Sequence, residues 1–114
     1  IKQVIYMIKL PKLDWFMGML KFRGQGNYFS GSAGCDPMLG NIESKTFRFR
    51  VWIRAAEEGF ELVAVYYSGI YSYEATDKSI MTEKVFKASE EGILEAQNWL
   101  QTAQDSALES FQNK

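Results

Sequence analysis

The chain reads as an α+β protein: an antiparallel sheet of five or six strands built on a long central hairpin, with one long C-terminal helix packed on one face. Three observations predict this. Residues 47–54 alternate apolar and polar without a break, a second alternating run starts at Phe60, and residues 90–112 carry apolar side chains at helical spacing. With 114 residues, 46% hydrophobic and 15% aromatic, the sequence is expected to form a single domain over residues 1–114 around one core.

The hairpin, residues 45–74, organises the rest. Phe47, Phe49, Val51 and Ile53 fall on one face of its first arm, and Thr46, Arg48, Arg50, Trp52 and Arg54 on the other. Ala56, Glu57, Glu58 and Gly59 form a four-residue loop whose final glycine suits a positive φ. Pairing Ala55 with Phe60 then sets the register: Arg54 opposite Glu61, Trp52 opposite Val63, Arg50 opposite Val65 and Arg48 opposite Tyr67. A slip of one residue would carry Arg50 and Arg54 onto the face of Phe60 and Leu62, so the hydrophobic pattern selects this pairing.

The remaining elements follow in order. Residues 1–10 are apolar on both faces, with Val4, Tyr6, Ile8 and Leu10 alternating with Ile5, Met7 and Lys9, and predict a first strand that Pro11 ends. A short connection leads to a second strand over 15–22, with Phe16, Leu20 and Phe22 on one side. Gly24, Gln25 and Gly26 read as a turn and residues 27–32 as a third strand. Residues 31–43, with Gly34, Pro37 and Gly40, form the longest loop, suited to function or to a crossing between sheet edges.

Gly69 marks a bulge or bend in the return arm, which continues over 70–73; residues 75–79 turn, and 80–87 form the last strand. Ser89 is placed to cap a helix whose first turn holds Glu90 and Glu91, where the helix dipole favours negative charge. Ile93, Ala96, Leu100, Ala103, Ala107 and Phe111 make its apolar stripe. That stripe belongs on the face of Phe47, Phe49, Val51 and Ile53, leaving the opposite face, with Trp52, Val63, Val65 and Tyr67, half exposed.

Composition removes several chemistries. There is no histidine, so the usual base near neutral pH and the commonest transition-metal ligand are missing. The lone Cys35 rules out an intrachain disulfide and has no histidine to activate it. No phosphate-cradling, dinucleotide or calcium-loop motif is present, so no catalytic set, no metal and no cofactor are expected. No run of 18 apolar residues suggests a membrane span, and the first residues lack the order of a signal peptide. A cytoplasmic setting away from membranes is the expectation.

Net charge is −1, but residues 1–54 hold nine Lys/Arg against three Asp/Glu, and residues 55–114 four against eleven. Basic strands therefore precede an acidic helix. The candidate binding residues are Arg48, Arg50, Trp52, Arg54 and Tyr67, with Tyr71 or Tyr73 beyond the bend. Such a face suits a protein interface, including a homodimer, because Trp, Tyr and Arg dominate interface energetics. It also suits single-stranded nucleic acid, through cations for phosphates and rings for bases. Arg stems lying along aromatic rings are equally the way a solvated sheet face covers itself. Five Met and seventeen aromatics leave a small apolar ligand between sheet and helix as a third reading. In architecture alone, strands followed by one long helix resemble the single-stranded-DNA-binding coactivator and Whirly families, which bind through a sheet face and assemble through helices; none of their motifs is identifiable here.

Overall fold

The computed structural model describes residues 7–18, 26–33, 46–69 and 72–112, with side chains to residue 110. The fold is α+β, an antiparallel sheet with a long C-terminal helix. Helix α1 spans Leu13–Met17 and α2 Glu90–Gln112; strands β1 to β4 span Phe29–Ala33, Phe47–Ala55, Phe60–Ser68 and Thr82–Lys87. The strands lie in the order β1-β2-β3-β4, each antiparallel to the next. Four strands are present among the described residues, not five or six.

The hairpin register is the one the pattern selects: Ala55 faces Phe60, Arg54 Glu61, Trp52 Val63, Arg50 Val65 and Arg48 Tyr67. In the loop, the Ala56 amide donates to the Gly59 carbonyl at 3.0 Å, and Gly59 has φ 77. That left-handed conformation is where a glycine is required. At the other end β3 stops at Ser68, and Gly69, with φ 147, turns the chain away while its amide still bonds to the Thr46 carbonyl.

Helix α2 begins where Ser89 predicts. The Ser89 hydroxyl accepts from the Gly92 amide at 3.0 Å, and its carbonyl takes the first helical bond, from Ile93. Ile93, Ala96 and Leu100 are buried against Phe47, Phe49, Val51, Ile53, Leu62, Ala64 and Phe86. Aromatic rings run along this seam: Phe47 on Tyr66, Tyr66 on Trp99, and Trp99 on Phe86, with centroids 5.0–5.7 Å apart. Phe49 covers β1 at Gly31, where a β-carbon would stand 2.6 Å from its ring.

The described parts of two expected strands, residues 7–10 and 15–18, are not in the sheet. Residues 13–17, within and just before the second expected strand, form one helical turn. Leu13, Phe16 and Met17 point their i, i+3, i+4 face into the core, and Phe16 is fully buried. An apolar run this short fits either period, and the helical one puts Leu13, Phe16 and Met17 on one side. Residues 7–10, the described part of the first expected strand, are covered on one side and not on both, with Ile8 and Leu10 buried and Met7 and Lys9 exposed. Their partner is a helix. The Ile8 amide donates to Gln101 Oε1 at 2.8 Å and the Leu10 amide to Gln97 Oε1 at 2.9 Å, so two glutamines one helical turn apart do the work of a neighbouring strand.

The rest of those strands (1–6 and 19–22), most of the turn at 24–26, the loop over 34–43 with Cys35, and residues 70–71 lie outside the described residues. Ser72 and Tyr73 do not prolong β3. Residues 73–75 are in a turn, and a 3-10 turn at Lys78–Ile80 leads into β4, whose start at Thr82 is two residues later than expected.

Candidate functional site

The outer sheet face carries the residues singled out from the sequence. Arg48, Arg50, Trp52 and Arg54 alternate along β2, and Tyr67 stands beside Arg48 on β3. Tyr71 lies outside the described residues. The face is not the open platform expected of it. After Gly69 the chain returns across it: the Tyr73 ring meets Trp52 edge-on at 5.5 Å, and Thr76 is hydrogen-bonded to the Tyr67 hydroxyl. Val63, Val65 and Tyr67 are buried, so the apolar patch expected there is covered.

This covering segment is braced from within. Thr76 Oγ1 donates to the Ser72 carbonyl at 2.7 Å, and Lys78 Nζ donates to the Tyr73 carbonyl at 2.6 Å while lying over the Tyr73 ring. Asp77 accepts from the Ser79 amide at 2.9 Å, and the bonds from Ser79 hold its carboxyl below the ordinary range. Burial pushes the Tyr67 hydroxyl up, against the opposing pull of Arg48 and of its bond to Thr76.

Each arginine on the face has a different setting. Arg48 Nε donates to the Gly69 carbonyl at 2.7 Å and so fastens the bend. Arg54, largely exposed, pairs with Glu61 across the hairpin at 2.5 Å and approaches Glu83 at 3.8 Å. Arg50 is only 8% exposed. Its guanidinium carbon lies 3.8 Å from the centre of the Tyr28 ring and 4.6 Å from that of Tyr73, so the cation is held between two aromatic rings.

Nη1 of Arg50 donates to Glu74 Oε2 at 2.6 Å, and its Nε is buried without a partner among the described residues. The Glu74 side chain is 70% exposed. The bond from Arg50, and after it a bond from its own backbone, holds the Glu74 carboxyl below the ordinary carboxylate value.

Two clefts share the wall made by Tyr28, Arg50, Tyr73 and Glu74. One, of about 450 Å³, continues over Trp52, Arg54 and Phe60 to the hairpin end; the other, of about 380 Å³, continues over Ser30, Ser32, Arg48 and Tyr67. No family model, curated protein or solved structure matches this chain. The site is therefore read from its own chemistry.

The first cleft has a guanidinium at its back, aromatic sides and one carboxylate at its mouth. Guanidinium and aromatic groups of this kind are chemically suited to planar or anionic groups, through stacking and charge-assisted hydrogen bonds. Among the described residues no group of three Cys, Asp or Glu side chains converges as a metal site, and no helix is long and apolar enough to cross a membrane.

Sequence reasoning found the arginines, Trp52 and, as an alternative to Tyr71, Tyr73. It missed Tyr28, Phe60 and Glu74 as wall residues. Tyr28 arrives because Ser30 stands opposite Arg50 and Phe29 opposite Val51, a pairing of β1 that no local pattern announces. Glu74 arrives through the turn after Gly69, and a carboxylate five residues past a glycine carries no signal of where it lands.

Proposed function

We propose that this chain is a non-enzymatic binding domain and that it receives its partner in the 450 Å³ cleft beside Arg50. One observation carries the reading: a nearly buried guanidinium, clamped between Tyr28 and Tyr73, backs an open cavity walled by Trp52 and Phe60. A cation fixed in place by aromatic rings has already lost its rotamer freedom, so a ligand that engages it pays little further ordering cost.

The nucleic-acid reading is weaker in this light. A single strand needs a row of available cations, whereas Arg50 and Arg54 each hold a carboxylate and Arg48 holds the Gly69 carbonyl. An apolar ligand between sheet and helix is also less favoured, because Val51, Leu62, Ala96 and Leu100 fill that space with no exposed surface.

A homodimer has a specific observation in its favour. The residues of β4 from Thr82 to Val85 are all exposed, and β4 is an edge of the described sheet. An open edge pairs readily with another strand, although Glu83, Lys84 and Lys87 are the charged guards that discourage it. A cytoplasmic setting remains part of the reading and rests on the single cysteine.

The experiment is a set of ¹H–¹⁵N spectra recorded through a dilution series and then with a library of small organic fragments and a single-stranded oligonucleotide. Shifts confined to Tyr28, Arg50, Trp52, Tyr73 and Glu74 with some fragments support the cleft. Shifts along residues 82–87 that track protein concentration would move the function to the β4 edge, and salt-sensitive shifts along Arg48–Arg54 with the oligonucleotide would restore nucleic acid.

A further inference from the structure

We propose that the cleft takes a planar aromatic carboxylate, and that Glu74 is the internal carboxylate this ligand displaces from Arg50; the proposal rests on the reading of the cleft as the binding site.

The ion pair is lopsided. Arg50 is 8% exposed and fixed by two rings, while its partner side chain is 70% exposed. A guanidinium offers five N–H donors, and among the described residues the Arg50 side chain makes one hydrogen bond, from Nη1 to Glu74. Nε has none. Because Nε is buried, an incoming carboxylate meets the guanidinium at its Nη end, which Glu74 holds by a single bond. Glu74 sits at the mouth of the cleft on a surface turn and can swing into water, where a free carboxylate is fully solvated.

Removing Glu74 without replacement would leave a nearly buried cation uncompensated, which is costly. A neutral ligand thus has no means of taking its place. An incoming carboxylate exchanges one ion pair for another and gains what Glu74 lacks, a flat body against the aromatic walls. Trp52 is half-buried and Phe60 is 43% exposed, so both offer apolar surface to a ring. A volume of about 450 Å³ lies in the range of small-molecule sites and accommodates a two-ring system. One guanidinium with one displaceable carboxylate matches a monoanion and not a polyanion.

The test uses the ¹⁵N-labelled chain titrated with indole-3-carboxylate, with neutral indole and with inorganic phosphate, in the wild type, E74Q and R50K. Indole-3-carboxylate is expected to shift the Arg50 guanidinium, Trp52, Tyr73 and Glu74 signals. E74Q, which removes the competitor at an exposed position, should tighten it roughly tenfold and leave indole unchanged. R50K keeps the charge but loses the fork, and should weaken it several-fold.

Unchanged or weaker carboxylate binding in E74Q, indole binding as tightly as its carboxylate, or phosphate competing equally well would each overturn the displacement proposal while leaving the cleft as the binding site. Absence of any shift in the cleft with all three probes would overturn the cleft reading together with the proposal.

Discussion

Gly92 lies against the carbonyl oxygen of Lys87 so closely that a β-carbon on it would stand 1.8 Å from that oxygen. The corner between β4 and α2 closes only because this first-turn residue has no side chain. Helix propensity alone says that Gly92→Ala should stabilise by about 1 kcal/mol. The contact reverses the sign: we expect a loss of roughly 1–3 kcal/mol, since backbone must move to admit the methyl group. Urea denaturation decides it, and a more stable variant would contradict the corner geometry.

Phe16 is the residue by which α1 joins the core, fully buried and edge-on to Trp15 at 5.3 Å. Phe16→Ala should cost about 3–5 kcal/mol, the range for emptying an aromatic site in a packed interior. A change under about 1 kcal/mol would mean that the 13–17 turn does not dock as described.

Gln101 accepts the Ile8 amide and Gln97 the Leu10 amide. Gln101→Met keeps a good helix former of similar length but removes the acceptor. Hydrogen exchange at the Ile8 amide should then accelerate about fivefold, the equivalent of one ordinary hydrogen bond, with exchange in β2 and β3 unchanged. Equal acceleration throughout the chain would show global destabilisation instead of release of residues 7–10.

The Arg50–Glu74 pair also has a signature in acid. The bond from Arg50 holds the folded-state pKa of Glu74 below its ordinary 4.5, so its stabilisation is present above that value and is lost as pH falls through the depressed one. The stability difference between wild type and Glu74→Gln should therefore be constant near neutrality, shrink below about pH 4.5 and disappear in stronger acid. Because Glu74 is exposed, added salt should narrow the difference at every pH. A difference that grows on acidification would contradict the sign.

Where the sequence was legible, a repeating pattern met a partner from its own neighbourhood. The β2–β3 register followed from alternation, a four-residue loop and one glycine, because a slip would have carried Arg50 and Arg54 onto the face of Leu62. Helix α2 followed from Ser89 and a 3.6-residue stripe. The failures lie where the partner is remote. Residues 1–10 read as apolar on both faces, yet of residues 7–10 only Ile8 and Leu10 are buried, and nothing local says that their cover is Gln97 and Gln101, some ninety residues away. Gln104, four residues past Leu100 on the same helix face, is buried too, and only its polarity kept it out of the apolar stripe. At the site, the arginine ladder was visible as a face, whereas its closure by Tyr28, Tyr73 and Glu74 depends on strand β1 and on the turn after Gly69.

The placement of α2 has a consequence for a chain made from one end to the other on the ribosome. The hairpin can form as soon as residue 68 has emerged, since its pairing is local. Its inner face, with Phe47, Phe49, Val51, Ile53, Leu62 and Ala64, then waits for Ile93, Ala96 and Leu100, and the segment bearing Ile8 and Leu10 waits for the same helix. A nascent chain with about 90 residues outside the exit tunnel thus presents an aromatic sheet face that lacks its long helix, and is the stage at which a chaperone has most to hold. Arrested chains of increasing length should show that exposure as a peak in dye binding that collapses once residues 93–101 have left the exit tunnel.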